Sequence, residues 1–243
     1  MRKLGTAIGS VVLFAGMLIT AYKLQFPDYR YRYRLALLMQ VDGKVYSGTS
    51  VIEVVWRGQA SISDVVSYSP HVGGQATVVY LGPRGAIVAA LQAGASSQDL
   101  QDQDLQDGAV DAAFLVPRAF GLASRGHKDL PQLTHLRGRA NLRPGNSMPR
   151  LIWFSDIANL KTARKIEVAE IPALFGSNAR LLDAYVAITN DPFQIDIDKK
   201  LPWYETLKGL GDGSIEIQPG FGLTSRMFIG ENAPAPGRRQ GPH

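Results

Sequence analysis

The sequence predicts an α+β, β-rich protein: an N-terminal transmembrane helix followed by a domain of mostly antiparallel sheet. Three observations lead to this class. An uncharged apolar run occupies residues 4–22. The stretches after it alternate with the period of two that is typical of strands, and turn sequences separate them. Hydrophobic residues make up 45% of the 243-residue chain, which is enough to fill a sizeable core.

The apolar run reads LGTAIGSVVLFAGMLITAY and lies between Arg2-Lys3 and Lys23. At about 1.5 Å per residue, a helix of this length spans roughly 28 Å, which matches the hydrocarbon core of a bilayer. We therefore interpret residues 1–3 as a flank, 4–22 as an uncleaved single-pass anchor and 23–28 as a linker.

A cleaved signal peptide is the alternative to an anchor, because its charged start and apolar centre look the same. Its best small-x-small cleavage site, Ile19-Thr20-Ala21, carries a bulky isoleucine.

The side of the membrane on which the domain lies is also open. Lysines and arginines near the run are more numerous on its C-terminal side, which favours a cytoplasmic domain, whereas a short MRK start is typical of anchors that export the domain after them. We favour the periplasmic side of a bacterial inner membrane.

The net charge of +5 is confined to the surroundings of this run. Residues 1–34 hold six basic side chains and one acidic one, whereas residues 35–243 hold 20 of each sign. A nucleic-acid-binding domain carries a basic surface of its own, so we expect no nucleic acid as partner.

The chain has no cysteine, which excludes disulfides, thiolate zinc sites and cysteine nucleophiles.

The first element of the domain is a long β-hairpin. In residues 29–41, tyrosines and aliphatic residues share one face of a strand, and Arg30, Arg32 and Arg34 share the other. Asp42-Gly43 supplies the turn. Residues 44–56 return as a strand with apolar residues on both faces, so we expect it to be central in its sheet.

Later elements follow the same signals within a globular domain at residues 29–230. A second hairpin is predicted at 76–91, around the turn sequence at 82–85. Further strands are predicted at 149–155, 165–168, 179–189, 213–218 and 226–230, and short helices at 169–175 and 203–210. Polar composition predicts long loops at about 93–112 and 118–148 and a disordered tail at 231–243.

The sequence holds no pattern that is typical of a metal site. The aspartate tract at 99–111 fails the calcium-loop pattern, because a loop starting at Asp102 would place Asp107 where glycine is needed and Ala113 where glutamate is needed. His127 and His135 lie eight residues apart, unlike the tighter pairs of zinc enzymes.

Nucleophile and phosphate-loop patterns are equally weak. The sequence Ser47-Gly-Thr-Ser50 lies within a predicted strand and is not a Gly-x-Ser-x-Gly elbow. The glycines at 209–213 precede a strand, the reverse of a dinucleotide loop. We therefore predict no catalytic, cofactor-binding or metal-binding residue and no cofactor. We predict a membrane interface formed by Lys23, Arg30, Arg32 and Arg34, with the lipid bilayer as a partner.

Two segments together resemble a group of uncharacterised proteobacterial proteins that have one membrane span and a β-rich domain. The first runs from Tyr31-Arg-Tyr-Arg-Leu35 through Asp42-Gly-Lys-Val45 to Ser47-Gly-Thr-Ser-Val-Ile-Glu-Val54. The second is Ile188-Thr-Asn-Asp-Pro192 with Ile197-Asp-Lys-Lys-Leu-Pro-Trp203. The resemblance implies this architecture and a bacterial membrane setting, and it transfers no catalytic residue.

Taken together, these observations predict a membrane-anchored envelope protein that acts as a non-enzymatic binding or accessory module, with another membrane or envelope protein as a further partner. The alternative is an enzyme of unrecognised type, such as a hydrolase, with site residues in the segments 47–53 and 191–203.

Overall fold

The computed structural model describes residues 16–17, 25–59, 67–92, 109–122, 129–145, 147–211 and 213–230. Within these ranges all named strands pair antiparallel, in sheets of five, four and two strands. Short helices lie between them. The predicted β-rich α+β class is therefore confirmed.

The strands, numbered along the chain, are β1 (Tyr29–Val41), β2 (Lys44–Gln59), β3 (Ser67–Gly74), β4 (Thr77–Tyr80), β5 (Ala86–Ala89), β6 (Arg139–Asn141), β7 (Leu151–Phe154), β8 (Ala163–Ile166), β9 (Arg180–Ile188), β10 (Ile215–Gln218) and β11 (Phe221–Leu223). The α-helices are α1 (Ala112–Ala119), α2 (Leu130–Leu133), α3 (Ile171–Phe175), α4 (Ile197–Lys200) and α5 (Tyr204–Lys208).

The predicted first hairpin is confirmed as β1 and β2, which pair from Tyr29 opposite Trp56 to Val41 opposite Lys44. The turn residues Asp42 and Gly43 have φ angles of 50° and 74°. Two successive left-handed residues are typical of the hairpin turn whose twist matches that of the strands. In the order β3-β2-β1-β9-β6, strand β2 is interior, as its two apolar faces predicted.

The domain has three layers separated by two cores. The inner face of the five-stranded sheet and α1 pack on one face of the four-stranded sheet, β4-β5-β7-β8. The other face of the four-stranded sheet packs against α4, α5, β11 and the residues that come after β11. Strand β5 is therefore buried along its whole length.

The two larger sheets approach each other closely where β4 crosses β2. A β-carbon added at Gly48 would lie 2.2 Å from the carbonyl oxygen of Val78, so only glycine fits there. Beside this crossing the hydroxyls of Ser50 and Thr77 hydrogen-bond to each other and are buried. The contact satisfies both polar groups inside the core.

Helix α1 is attached to β1 through two buried tyrosines. The hydroxyl of Tyr33 donates to the carbonyl of Ala112 at 2.7 Å, and that of Tyr31 donates to the carbonyl of Ala113 at 3.0 Å. Pro117 lies inside the helix and has no N–H for the carbonyl four residues before it, which is that of Ala113. Tyr31 therefore supplies the donor that the helix lacks.

The third layer is attached through Gln75, at the corner between β3 and β4. The Gln75 side chain donates to the Asp196 carboxylate at 2.6 Å and accepts from the Asp196 backbone N–H at 2.7 Å. Desolvation of Asp196 raises its pKa, but Lys200 and Gln75 stabilise the carboxylate, so the pKa lies below its ordinary value.

Several element predictions require correction. The predicted strand at 226–230 is wrong: residues 225–227 form a 3-10 turn, and β10 pairs instead with β11, because a turn with Gly220 at φ 76° returns the chain at once. Strand β8 ends at Ile166 instead of 168, since the Glu167 and Glu170 side chains cap the turn after it.

The predicted loops also hold structure. Helix α1 runs from the end of the first predicted loop into the start of the second, and α2 and β6 lie within 118–148. Strand β6 has three residues, too few for a period of two to be recognised. The sequence of β3, SYSPHVGG, was not predicted as a strand because it contains proline and glycine, which an edge strand tolerates.

In the part of the chain that the structure describes, no helix is both long enough and apolar enough to span a bilayer. Apart from Gly16 and Met17, the predicted anchor at 4–22 lies outside the described residues. The predicted tail at 231–243 lies outside them as well.

Candidate functional site

At the end where β1 begins, the face of the five-stranded sheet that points away from the core carries arginines from three strands. Arg30, Arg32 and Arg34 alternate along β1 with buried residues, as the sequence predicted. The strand register places Arg57 of β2 and Arg139 of β6 on the same face. We call this surface the arginine face; it consists of these five arginines with Glu53, Asp183 and Asp191.

Glu53 lies at the centre of one arginine pair. It stands opposite Arg32 in the β1–β2 register and accepts a 2.7 Å hydrogen bond from Arg32 Nε. Its Oε2 also lies 3.7 Å from Arg30 Nη1. The Glu53 side chain is only 9% exposed, so the two guanidinium groups compensate a carboxylate that is largely removed from water.

A second ion pair joins β1 to the turn after β9. Arg34 Nη2 donates to Asp191 Oδ2 at 2.5 Å, and both side chains are exposed. The Thr189 hydroxyl and the Arg34 guanidinium lower the pKa of Asp191 below its ordinary value. Because water screens this pair, it contributes little to stability.

A third ion pair lies at the edge of the sheet. Arg139 Nη2 donates to Asp183 Oδ2 at 2.9 Å, and the Arg139 guanidinium carbon lies 4.1 Å from the centre of the Tyr185 ring. Stacking on an aromatic ring holds the guanidinium flat and leaves its edge available for further hydrogen bonds.

Five arginines and three carboxylates leave the arginine face with a net charge of +2. Four of the arginine side chains are 31–63% exposed, so the face is open to solvent. A guanidinium has five N–H donors, and the hydrogen bonds described above use only some of them. The remaining donors suit phosphate or carboxylate oxygens.

The structure thus brings together three of the four residues predicted at a membrane interface, and Lys23 lies outside the described residues. Sequence reasoning missed Arg57 and Arg139. Alternation within β1 shows which of its own residues share a face, but only the pairing of β1 with β2 and β9, and of β9 with β6, aligns the other strands with it.

Each segment of the enzyme alternative contributes one carboxylate to this face, and Glu53 and Asp191 bond to different arginines of β1. Both carboxylates are bonded to arginines on an open sheet surface.

A cleft of about 150 Å³ lies elsewhere, between residues 144–151 and 165–169. Among the described residues no group of three or more His, Asp or Glu side chains is placed to hold a metal ion.

No protein-family model, curated protein or solved structure matches this chain. The resemblance to proteobacterial single-span proteins therefore stays a prediction, and the class of protein rests on the fold and the arginine face.

Proposed function

We propose that this protein is a membrane-anchored, non-enzymatic binding or accessory module of the bacterial envelope. One observation carries the proposal: β1 begins at Tyr29, directly after the predicted linker at 23–28. Six extended residues reach at most about 20 Å. An anchor at 4–22 would therefore hold the arginine face within a short distance of the bilayer.

The solvent-open charge of the arginine face supports a binding role. Its carboxylates orient guanidinium groups toward solvent, whereas a catalytic acid or base works in a concave site that excludes water. The proposed setting is the bacterial inner membrane, with one span and the domain on the periplasmic side. A membrane or envelope protein is the further partner.

Membrane fractionation and co-purification test this proposal with the full-length chain. We expect the chain to stay with the membrane fraction after an alkaline wash and to co-purify from detergent with a specific membrane or envelope protein. A reporter fused to the C-terminus would give the orientation. Release by the alkaline wash, or isolation as a lone monomer, would contradict the proposal.

An enzyme, such as a tethered hydrolase, is the second candidate, and the presence of Glu53 and Asp191 on one face favours it. The test is a broad screen of small substrates with the purified chain and with the variants Glu53→Gln and Asp191→Asn. Turnover that disappears in one of these variants would replace the binding proposal with an enzymatic one.

A further inference from the structure

We propose that the arginine face binds the phosphate groups of anionic lipid headgroups, so that the first half of β1 lies against the bilayer. The inference rests on the proposed membrane anchor. It names the ligand of the arginine face and fixes how the domain is oriented.

The arrangement of the arginines suits a surface more than a single small ligand. From β2 through β1 and β9 to β6 the sheet extends over three strand spacings, or about 14 Å. Arg30 and Arg34 lie about 13 Å apart along β1. Charges spread in two dimensions on an open sheet can contact several headgroup phosphates at once.

Glu53 and Asp191 position the arginines without neutralising all of their positive charge. Glu53 binds Arg32 through Nε, the inner nitrogen of the guanidinium, so the two terminal nitrogens are left for a phosphate. Arg30 is 63% exposed although it also neighbours Glu53. The excess charge of the face therefore comes with donors that point outward.

Aromatic residues mark the same end of the sheet, and Tyr29 and Tyr68 lie on its core side, opposite the arginines. The rings of Tyr29 and Tyr68 lie 5.5 Å apart, and a β-carbon at Gly58 would come within 3.1 Å of the Phe26 backbone. All three aromatic side chains are half-buried. The arginines, and not these aromatic side chains, therefore supply the proposed contact with the headgroups.

The opposite end of the hairpin supplies a matched control. There Asp42 forms a bidentate ion pair with Arg84, at 3.0 and 3.2 Å. Twelve strand steps separate this turn from the start of β1, a distance of about 40 Å. If the first half of β1 lies against the bilayer, the Asp42–Arg84 pair is about 40 Å along the sheet from that contact.

The experiment uses the full-length chain in nanodiscs. Since the sequence has no cysteine, a single introduced cysteine is a unique site for a fluorophore. One label is placed at Thr49→Cys, an exposed position on the outer face of the same sheet, and the other at Glu216→Cys on β10, across the domain. The lipids carry a headgroup quencher and are either neutral or about one-third phosphatidylglycerol.

We expect the Thr49 label to be quenched at least twofold more with phosphatidylglycerol than without it, and high salt to remove the difference. The Glu216 label should not respond. Equal responses of the two labels, or no response to the anionic lipid at position 49, would overturn the proposal.

Charge variants then separate the arginine face from the total charge. Arg30→Gln and Arg34→Gln should each weaken the lipid-dependent quenching, the two together should remove most of it, and Asp191→Asn should increase it. Arg84→Gln and Asp42→Asn make the corresponding single changes at the distant turn and should leave it unchanged. If Arg84→Gln weakens the quenching as much as Arg30→Gln does, the arginine face is not the binding surface.

Two further arms distinguish the possible failures. If the chain does not stay in nanodiscs, the anchor is wrong, and the labelled chain is mixed with free phosphatidylglycerol vesicles instead. Binding that depends on Arg30 and Arg34 would then uphold the arginine face without the anchor, whereas no binding would refute both proposals. Reversal by millimolar inorganic phosphate would indicate a site for free anions and overturn the lipid assignment.

Discussion

The hydroxyl of Tyr31 donates a hydrogen bond to the carbonyl oxygen of Ala113, which Pro117 deprives of its usual donor within helix α1. A proline inside a helix costs one backbone hydrogen bond. Here a side chain from the first strand of the domain replaces that bond. This hydrogen bond links β1 to a helix that the sequence alone did not predict.

Tyr31→Phe should lower the free energy of unfolding by about 1–3 kcal/mol, because it leaves the buried carbonyl of Ala113 without a donor. Chemical denaturation would measure the change. Tyr46→Phe is the control: Tyr46 is half-buried on the same face of the hairpin, and its change should be smaller. Equal losses in the two variants would contradict the assigned role of Tyr31.

Pro117→Ala should make the chain less dependent on Tyr31. Alanine at this position restores an N–H that can reach the Ala113 carbonyl, so Tyr31→Phe should cost less in that background. A double-mutant cycle should give a coupling of about 0.5–3 kcal/mol. If Tyr31→Phe costs the same with and without Pro117, the two residues are independent.

Alkaline pH should destabilise the domain through its buried tyrosines. Burial raises the pKa of Tyr31 and of Tyr33 well above the ordinary value of about 10. Folding therefore favours the protonated phenols: their contribution is fully present below about pH 10 and declines as the pH rises from there toward the folded-state pKa. Each tyrosine should add a slope of about 1.4 kcal/mol per pH unit in that window.

Comparison of the wild-type chain with Tyr33→Phe from pH 8 to 12 checks this prediction. The variant should lose stability less steeply above pH 10, because one titrating group is gone. Tyr204, whose pKa burial raises to about 12, remains in both proteins and affects them equally. Parallel curves above pH 10 would show that Tyr33 does not contribute.

Gly48→Ala should be among the most damaging single changes in the domain. The new methyl would lie 2.2 Å from the Val78 carbonyl oxygen, so β4 would have to move away from β2. We expect a loss of about 3 kcal/mol. Gly209→Ala is the matched control, because its nearest contact is 3.4 Å and its backbone is helical. Thermal unfolding measures both losses. Equal losses in the two variants would show that a methyl group fits where β4 crosses β2.

The two carboxylates bonded to β1 arginines should differ in their effect on stability. Glu53→Gln removes a largely buried charge that two arginines compensate, and it should cost about 1–3 kcal/mol. Asp191→Asn changes an exposed pair that water screens and should leave the free energy of unfolding nearly unchanged. Equilibrium unfolding of both variants decides this, and equal costs would mean that Glu53 is as well hydrated as Asp191.

Local patterns in the sequence predicted the hairpin of β1 and β2, the second hairpin, β7 and β9, and the short helices at 169–175 and 203–210. Each of these has a period or a turn residue that acts over a few neighbours. Strands β3 and β6 lacked such a pattern, because edge strands gain their stability from one partner and tolerate proline or extreme shortness. The strand predicted at 226–230 was wrong for a similar reason, since the turn at Gly220 settled the pairing earlier.

By itself, the sequence determined that Tyr31 and Tyr33 share one face of a strand and that Arg30, Arg32 and Arg34 share the other, because the side chains of a strand alternate. Only the tertiary structure decided what each face meets. The tyrosines reach α1, and Glu53 and Asp191 reach the arginines, through contacts between residues far apart in the chain. Such contacts depend on register and on the packing of whole elements, which no local pattern records.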